Sequence, residues 1–360
     1  MKAIARRKVL FVATGILPLL TGHWLISQSE TNSDTTSSMP SLQSAGLKLM
    51  RDTSYALGTN ISVTVVHEDD RVAKAAISSA LSEVHLIDRL MSIYRPDSQV
   101  SQLNRSGSLD APHPYSIEVL AQTQMFSRLS EGAFDITVQP LWQVYARAQE
   151  KGQLPNSEAI ALAQQKVNWR DLDISAKRIR FTKPGMAITL NGIAQGFAAD
   201  RVLAVLKGYG IENALFDTGE IGCWGQKPSE QPWTVGVQNP RDPNACIGSI
   251  QPQNCFVATS GDYASTFSQD YQHHHIFDPT TGESPRELSS VTVLAPTGIE
   301  ADGLSTAILV LGVEKGLALA KRIRGVEAIA TCKDNRILAT ENFPLMAGKY
   351  QQQSTKSFLT

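Results

Sequence analysis

Two short constellations in this chain have the residue types and spacing for polar chemistry. In Glu300-Ala301-Asp302-Gly303-Leu304-Ser305-Thr306, Asp302 and Thr306 stand four apart. On a helix that spacing puts a carboxylate and a hydroxyl on one face, near the start. Such a pair can hold a hard cation such as Mg²⁺, which takes few protein oxygens and keeps its waters. The same residues can instead cap the helix and bond its backbone, and spacing does not choose between these roles. The second constellation is His273-His274-His275. Alternate residues of a strand share a face, so at most His273 and His275 point together. His275 runs into the apolar strand and turn Ile276-Phe277-Asp278-Pro279, which singles it out as a general acid or base near neutral pH. His273 and His274 read as solvated loop.

Three further segments could carry a ligand. Thr259-Ser260-Gly261-Asp262-Tyr263 places hydroxyls and backbone N–H groups at a strand end, a phosphate cradle. Its serine lies in no G-x-S-x-G elbow, so serine-hydrolase chemistry has little support. Tyr94 follows a helix and can stack on a planar ligand, or simply fill a turn. The stretch from Thr189 to Glu220 reads as strand, glycine turn, helix, turn and strand. Its strand is Ile188-Leu190, Asn191-Gly192 and Gly196 bracket the turn, and Ala199, Val202, Val205, Leu206 and Tyr209 fall on one helical face. Gly208 and Gly210 stop the helix. A helix N-terminus behind such a turn suits an anion, but the spacing matches neither a dinucleotide fingerprint nor a Walker loop.

The elements that must position these residues follow from pattern. Ile61, Val63 and Val65 alternate as in a half-buried strand, and 70–91 is an amphipathic helix capped by Asp69 or Asp70. A second helix spans 117–130. Phe134 to Val138 is expected as a strand stopped by Pro140, and 174–182 as a hairpin. Trp233 to Val237 reads as a strand, 239–254 as a loop-rich excursion, and 256–259 and 291–294 as strands. A long helix spans 300–323 with a break at Gly312, and 326–331 and 336–340 close the fold. Irregular alternation of strands and helices favours a single α+β domain with mixed β-sheets and packed helices.

Length and composition set the bounds. The chain has 360 residues, 42% of them hydrophobic and 19% charged, with a formal net charge of −1. With no basic block beyond the N-terminus, nucleic acid is not an expected partner. Lys2, Arg6, Arg7 and Lys8 precede an apolar run, Val9 to Leu20, too short for a comfortable membrane span. Residues 1–27 are therefore expected to be an export signal, similar to the twin-arginine type, or an uncleaved anchor reaching Leu25-Ile26. A polar linker, 28–46, follows, then the main domain, 47–350, and a polar tail, 351–360. The expected localisation is periplasmic. The four cysteines, Cys223, Cys246, Cys255 and Cys332, fit no zinc or redox spacing. If one pair bridges, Cys246 with Cys255 is the expected choice, and four unbridged thiols are an equal alternative.

Taken in order, MSIYRPDSQVSQLN, GAFDITVQPLW, LNGIAQGFAADRVLAVL, ATSGDY, HHIFDPTTG and SVTVLAPTGIEADGLSTAILVLG resemble the FAD:protein FMN transferases, the ApbE family. The segments lie between about Leu57 and Gly316, and the leader resembles that of the NosX-type branch. The resemblance implies an enzyme that transfers FMN from FAD to a Ser or Thr hydroxyl of an electron-transfer protein, with Mg²⁺ at the pyrophosphate and AMP released. It implies Asp302, Thr306 and the Ala194 carbonyl as metal ligands and His275 as base. It implies Tyr94, Ala133, Phe134, Asp135, Asn191, Thr259, Ser260, Gly261 and Ile276 as residues around FAD. Asp217-Thr218-Gly219 departs from the family's Asn-x-Gly-Gly, Leu57 replaces a methionine, and Asn191-Gly192 replaces a more typical Gly-Gly or Ser-Thr. Two other readings also predict FAD binding: an FAD carrier without covalent transfer, and a pyrophosphatase giving FMN and AMP.

Overall fold

A computed structural model describes residues 46–347. The expected export signal, nearly all of the linker and the polar tail lie outside the described residues. In chain order the fold runs β1 (Lys48–Ala56), β2 (Thr59–His67), α1 (Asp70–Met91), α2 (Gln99–Ser106), β3 (Ser108–Asp110), α3 (Pro114–Leu129), α4 (Gln139–Gln149), α5 (Ser157–Gln164), β4 (Leu172–Ile174), β5 (Arg178–Phe181), α6 (Ala194–Gly208), β6 (Asn213–Asp217) and β7 (Ile221–Trp224). It continues through β8 (Val235–Asn239), β9 (Asp242–Ile250), β10 (Cys255–Gly261), β11 (Leu288–Ala295), α7 (Gly298–Arg322), β12 (Glu327–Cys332), β13 (Ile337–Ala339) and β14 (Met346–Ala347).

The organising layer is an eight-stranded sheet in the order β1-β2-β6-β7-β10-β11-β12-β13. Every named strand pair in it is antiparallel. Helices α1, α6 and α7 cover one face and bury the largest apolar cluster, which includes Ile61, Val63, Val65, Val84, Val202, Leu206, Leu304 and Ile308. The three-stranded sheet β14-β9-β8 covers the other face, with Trp233, Val235, Val237 and Ile250 packed on Val66, Val257, Leu294 and Ile329. The sheets and helices form the α+β domain that the sequence implies. Asp69 caps α1, accepting from the N–H groups of Arg71 and Val72. The break in α7 is real: Gly312 sits at φ 79°, where its missing side chain makes room for the Glu287 carboxylate.

Several local expectations differ from the structure. The segment 134–138 is not a strand. Asp135 caps a 3₁₀ turn at Ile136–Val138 that runs into α4, and Pro140 begins that helix instead of stopping a strand. Ile188-Leu190 lies in no sheet. The Asn104 side chain takes the place of a neighbouring strand, accepting from Ile188 N–H at 2.7 Å and donating to Ile188 O at 2.8 Å. The loop expected over 239–254 holds β9, which pairs with β8 around Pro240-Arg241. The histidine run is also no strand. His274 is fully buried, with Nε2 donating to Pro285 O at 3.2 Å, and His273 packs beside Tyr145, so neither is solvated loop.

Candidate active site

Helices α6 and α7 meet at Gly196 and Gly298. A Cβ on Gly196 would lie 2.2 Å from the Gly298 carbonyl oxygen, and one on Gly298 would lie 2.3 Å from that of Gly196. Only glycine permits that approach. Each helix then satisfies the other's first turn. Asp200 accepts from the N–H groups of Gly298 and Ile299 at 2.6 and 2.9 Å, and Asp302 Oδ2 accepts from Gly196 N–H at 2.9 Å. α6 has no side-chain cap at Ile193, so the carboxylate from α7 supplies one. Asp302 thus caps a helix, though not its own, where Thr297 serves.

This geometry leaves Asp302 3% exposed. Its other oxygen, Oδ1, makes no hydrogen bond among the described residues. Glu220, also buried, lies close enough that Asp302 raises its pKa, after burial itself, well above the usual carboxylate range. Burial pushes Asp302 up to about 7, opposed only by the Gly196 N–H. Among the described residues no basic side chain pairs with either group. Buried carboxylates without a partner favour protonation or a cation. Thr306 adds a hydroxyl to this corner: Oγ1 is 3.0 Å from Ser260 Oγ, which also meets Ser305 Oγ at 2.8 Å. A Cβ on Gly192 would lie 3.0 Å from Thr306 Oγ1, so that glycine keeps the space beside the hydroxyl. Ala194 opens α6, two residues before the N–H that Asp302 binds. The donor set therefore fits a hard cation: carboxylate and hydroxyl oxygens, with the backbone of Ala194 alongside.

Most of the expected ligand residues gather around this corner. Tyr94 is 48% exposed, and the Asn191 side chain stands beside its hydroxyl. Asn191 adjoins Gly192, so one short chain of contacts leads from Tyr94 to Thr306. Thr259 lies on the same strand as Ser260, its N–H donating to Glu220 Oε2 at 3.2 Å. Gly261 is held against the Tyr263 ring. The segment 133–135 leads into Ile136, whose carbonyl oxygen accepts from Thr189 N–H at 2.9 Å on the corner's flank. Within it Phe134 is buried against Phe126, and both Asp135 oxygens are engaged, Oδ1 by Thr137 and Oδ2 by Trp169 N–H. Ala133 alone of the three is half-buried.

His275 lies on the 262–287 segment that follows β10. Its Nδ1 is 3.1 Å from Ser265 O, which makes Nδ1 the donor and leaves the Nε2 lone pair free. The surrounding protein lowers its pKa, with the Ser265 carbonyl and the Asp262 charge opposing. Asp262 is itself fully buried and held by Arg241 at 2.7 and 2.8 Å. Ile276, next to His275, is buried. Sequence reasoning missed Glu220, Asp200 and Asp262 as site-forming groups. Asp200 falls seven places before Lys207 inside an ordinary helical stripe, and nothing local marks it. Glu220 and Asp262 fall within the stretches 189–220 and 259–263, and an acid at a strand end beside glycine was the available signal.

A family model described as the ApbE family matches residues 57–330. An FAD:protein FMN transferase of Vibrio cholerae is 31% identical over 277 residues, covering 74% of this chain and 82% of that protein. The apo crystal structure of the flavinyl transferase ApbE of Pseudomonas stutzeri is 30% identical, with a TM-score of 0.71, over 82% of this chain and 94% of that one. The ApbE protein of Thermotoga maritima is 27% identical, with a TM-score of 0.75, over 82% and 98%. With the sequence match running from Leu57 to Ala330 and the fold agreeing beneath it, the chain belongs to the ApbE family.

Proposed function

We propose that this chain is an FAD:protein FMN transferase that moves FMN from FAD onto a Ser or Thr hydroxyl of an acceptor protein and releases AMP. The relatives' activity supports the transfer. The observation that carries the chemistry is the buried carboxylate pair, Asp302 and Glu220, with no basic partner among the described residues, near the hydroxyls of Thr306 and Ser260. Asp302, Thr306 and the Ala194 carbonyl would hold Mg²⁺. Bound there, the ion would neutralise charge that builds on the pyrophosphate.

The chain's own residues account for the rest. His275 stays neutral at pH 7 because its pKa is lowered, and Ser265 O fixes the ring with Nε2 as the acceptor. Nε2 takes the proton of the acceptor hydroxyl as its oxygen bonds the phosphorus of the FMN half. The phosphorus–oxygen bond to the AMP half breaks, and AMP leaves with that electron pair. Tyr94 and Asn191 would contact the flavin side, with Thr259 to Gly261 near the phosphates. The leader and the expected periplasmic setting suggest a membrane-bound electron-transfer protein as acceptor.

The test is to incubate the purified protein with FAD, Mg²⁺ and a candidate acceptor domain, then read flavin fluorescence in a denaturing gel. A fluorescent acceptor band is expected, falling about 100-fold or more in rate for His275→Ala. FAD bound without any covalent band, across acceptors that related transferases modify, would overturn transfer in favour of a carrier. FMN released without an acceptor would favour a pyrophosphatase.

A further inference from the structure

Cys223 on β7 and Cys255 on β10 stand directly opposite each other in the antiparallel register. Opposed residues of such a pair share a face, with Cα atoms about 4.5–5.5 Å apart. A disulfide accepts about 4.4–6.8 Å. Both side chains point toward the layer under β8 and β9: Cys223 is buried with Trp233 and Val257, and Cys255 packs on the same cluster but stays half-buried. Burial first, and then the neighbouring Cys255, hold the Cys223 thiol above its usual range, which places the two sulfurs within each other's influence. The remaining cysteines have no such neighbour. Cys246 is exposed on β9 against Gly236, and Cys332 is buried in the helix-side cluster. The structure therefore favours a different pair from Cys246 and Cys255.

We propose that Cys223 and Cys255 form a cross-strand disulfide when the protein meets a disulfide oxidant. The half-buried Cys255 attacks as thiolate, breaking the oxidant's S–S bond and releasing one thiol. Cys223, losing its proton, then attacks the Cys255 sulfur and displaces the second thiol. Two protein thiols are oxidised and one external disulfide is reduced, so electrons and protons balance. The bridge joins β7 to β10 within the large sheet and closes, at its base, the loop from 223 to 255 that contains β8 and β9. It also ties the two strands that the Thr259 N–H to Glu220 bond joins at the site.

The test treats the full reduced chain with oxidised glutathione and counts alkylatable thiols by mass. Two of the four cysteines should become protected, with a peptide linking Cys223 to Cys255, and Cys246→Ser should leave that link unchanged. Cys255→Ser, at the half-buried position, should keep all three remaining thiols reactive after unfolding and should melt identically with and without reductant. The oxidised wild type should melt about 5 °C or more above its reduced form. Four reactive thiols after oxidation, or a link from Cys255 to Cys246, would overturn the proposal.

Discussion

The two faces of the large sheet obey different rules. Under the small sheet, Trp233, Val235, Val237 and Ile250 meet Val66, Val257, Leu294 and Ile329, with apolar side chains on both sides. Under the helices, the packing also brings in two backbones at contact distance, a carboxylate 3% exposed and a second one beside it. The first face is what burial of apolar area alone would build. The second tolerates groups that cost stability there, which is what the proposed site on that face would require.

The comparison predicts how each face fails. Trp233→Ala should remove about 4 kcal/mol of stability, read by denaturant melts, while the folded fraction keeps its transfer rate. A matching loss of rate in folded protein would mean that the small sheet shapes the site. Gly196→Ala should cost about 3 kcal/mol, because its Cβ would meet the Gly298 carbonyl at 2.2 Å, and it should also weaken cation binding by pushing α7 away. Unchanged stability would show that the helices can separate freely.

A smaller effect lies in the histidine run. Burial lowers His274 to about 3, against an ordinary 6.5. The unfolded chain takes up that proton first as pH falls, so the histidine's contribution is present above about 6.5 and lost on the way down to 3. Between pH 7 and 5 the stability gap between wild type and His274→Leu should shift by about 2 kcal/mol against the wild type. A pH-independent gap would mean that His274 takes its proton while folded.

The same contrast decides what the sequence made legible. Strands β2, β10 and β11 and helices α1 and α7 follow from periodicity, including the break at Gly312, because each buries a regular face. The placement of Asp302 and Thr306 one turn apart on α7 was also readable from spacing, while their roles and that of His275 rest on the resemblance and the proposal above. The rest depends on contacts far apart in sequence. Asn104 standing in for a strand beside Ile188, Asp200 capping α7 and Asp302 capping α6 are each set by residues about 80 to 110 positions away. Asp135 failed as a strand signal because its capping bonds to Thr137 and Trp169 outweigh the β-propensity of Ile136 and Val138.

The central proposal is that the buried Asp302 carboxylate serves as a ligand to a bound cation. It is tested most directly by titrating Mg²⁺ into FAD-bound wild type and Asp302→Asn calorimetrically, alongside melts without the ion. Asparagine keeps an oxygen for the Gly196 N–H but removes the charge. The account predicts saturable binding in the wild type, at least about tenfold weaker binding in the variant, and a cation-free variant no less stable than wild type. Equal Mg²⁺ affinity in the two proteins would contradict it.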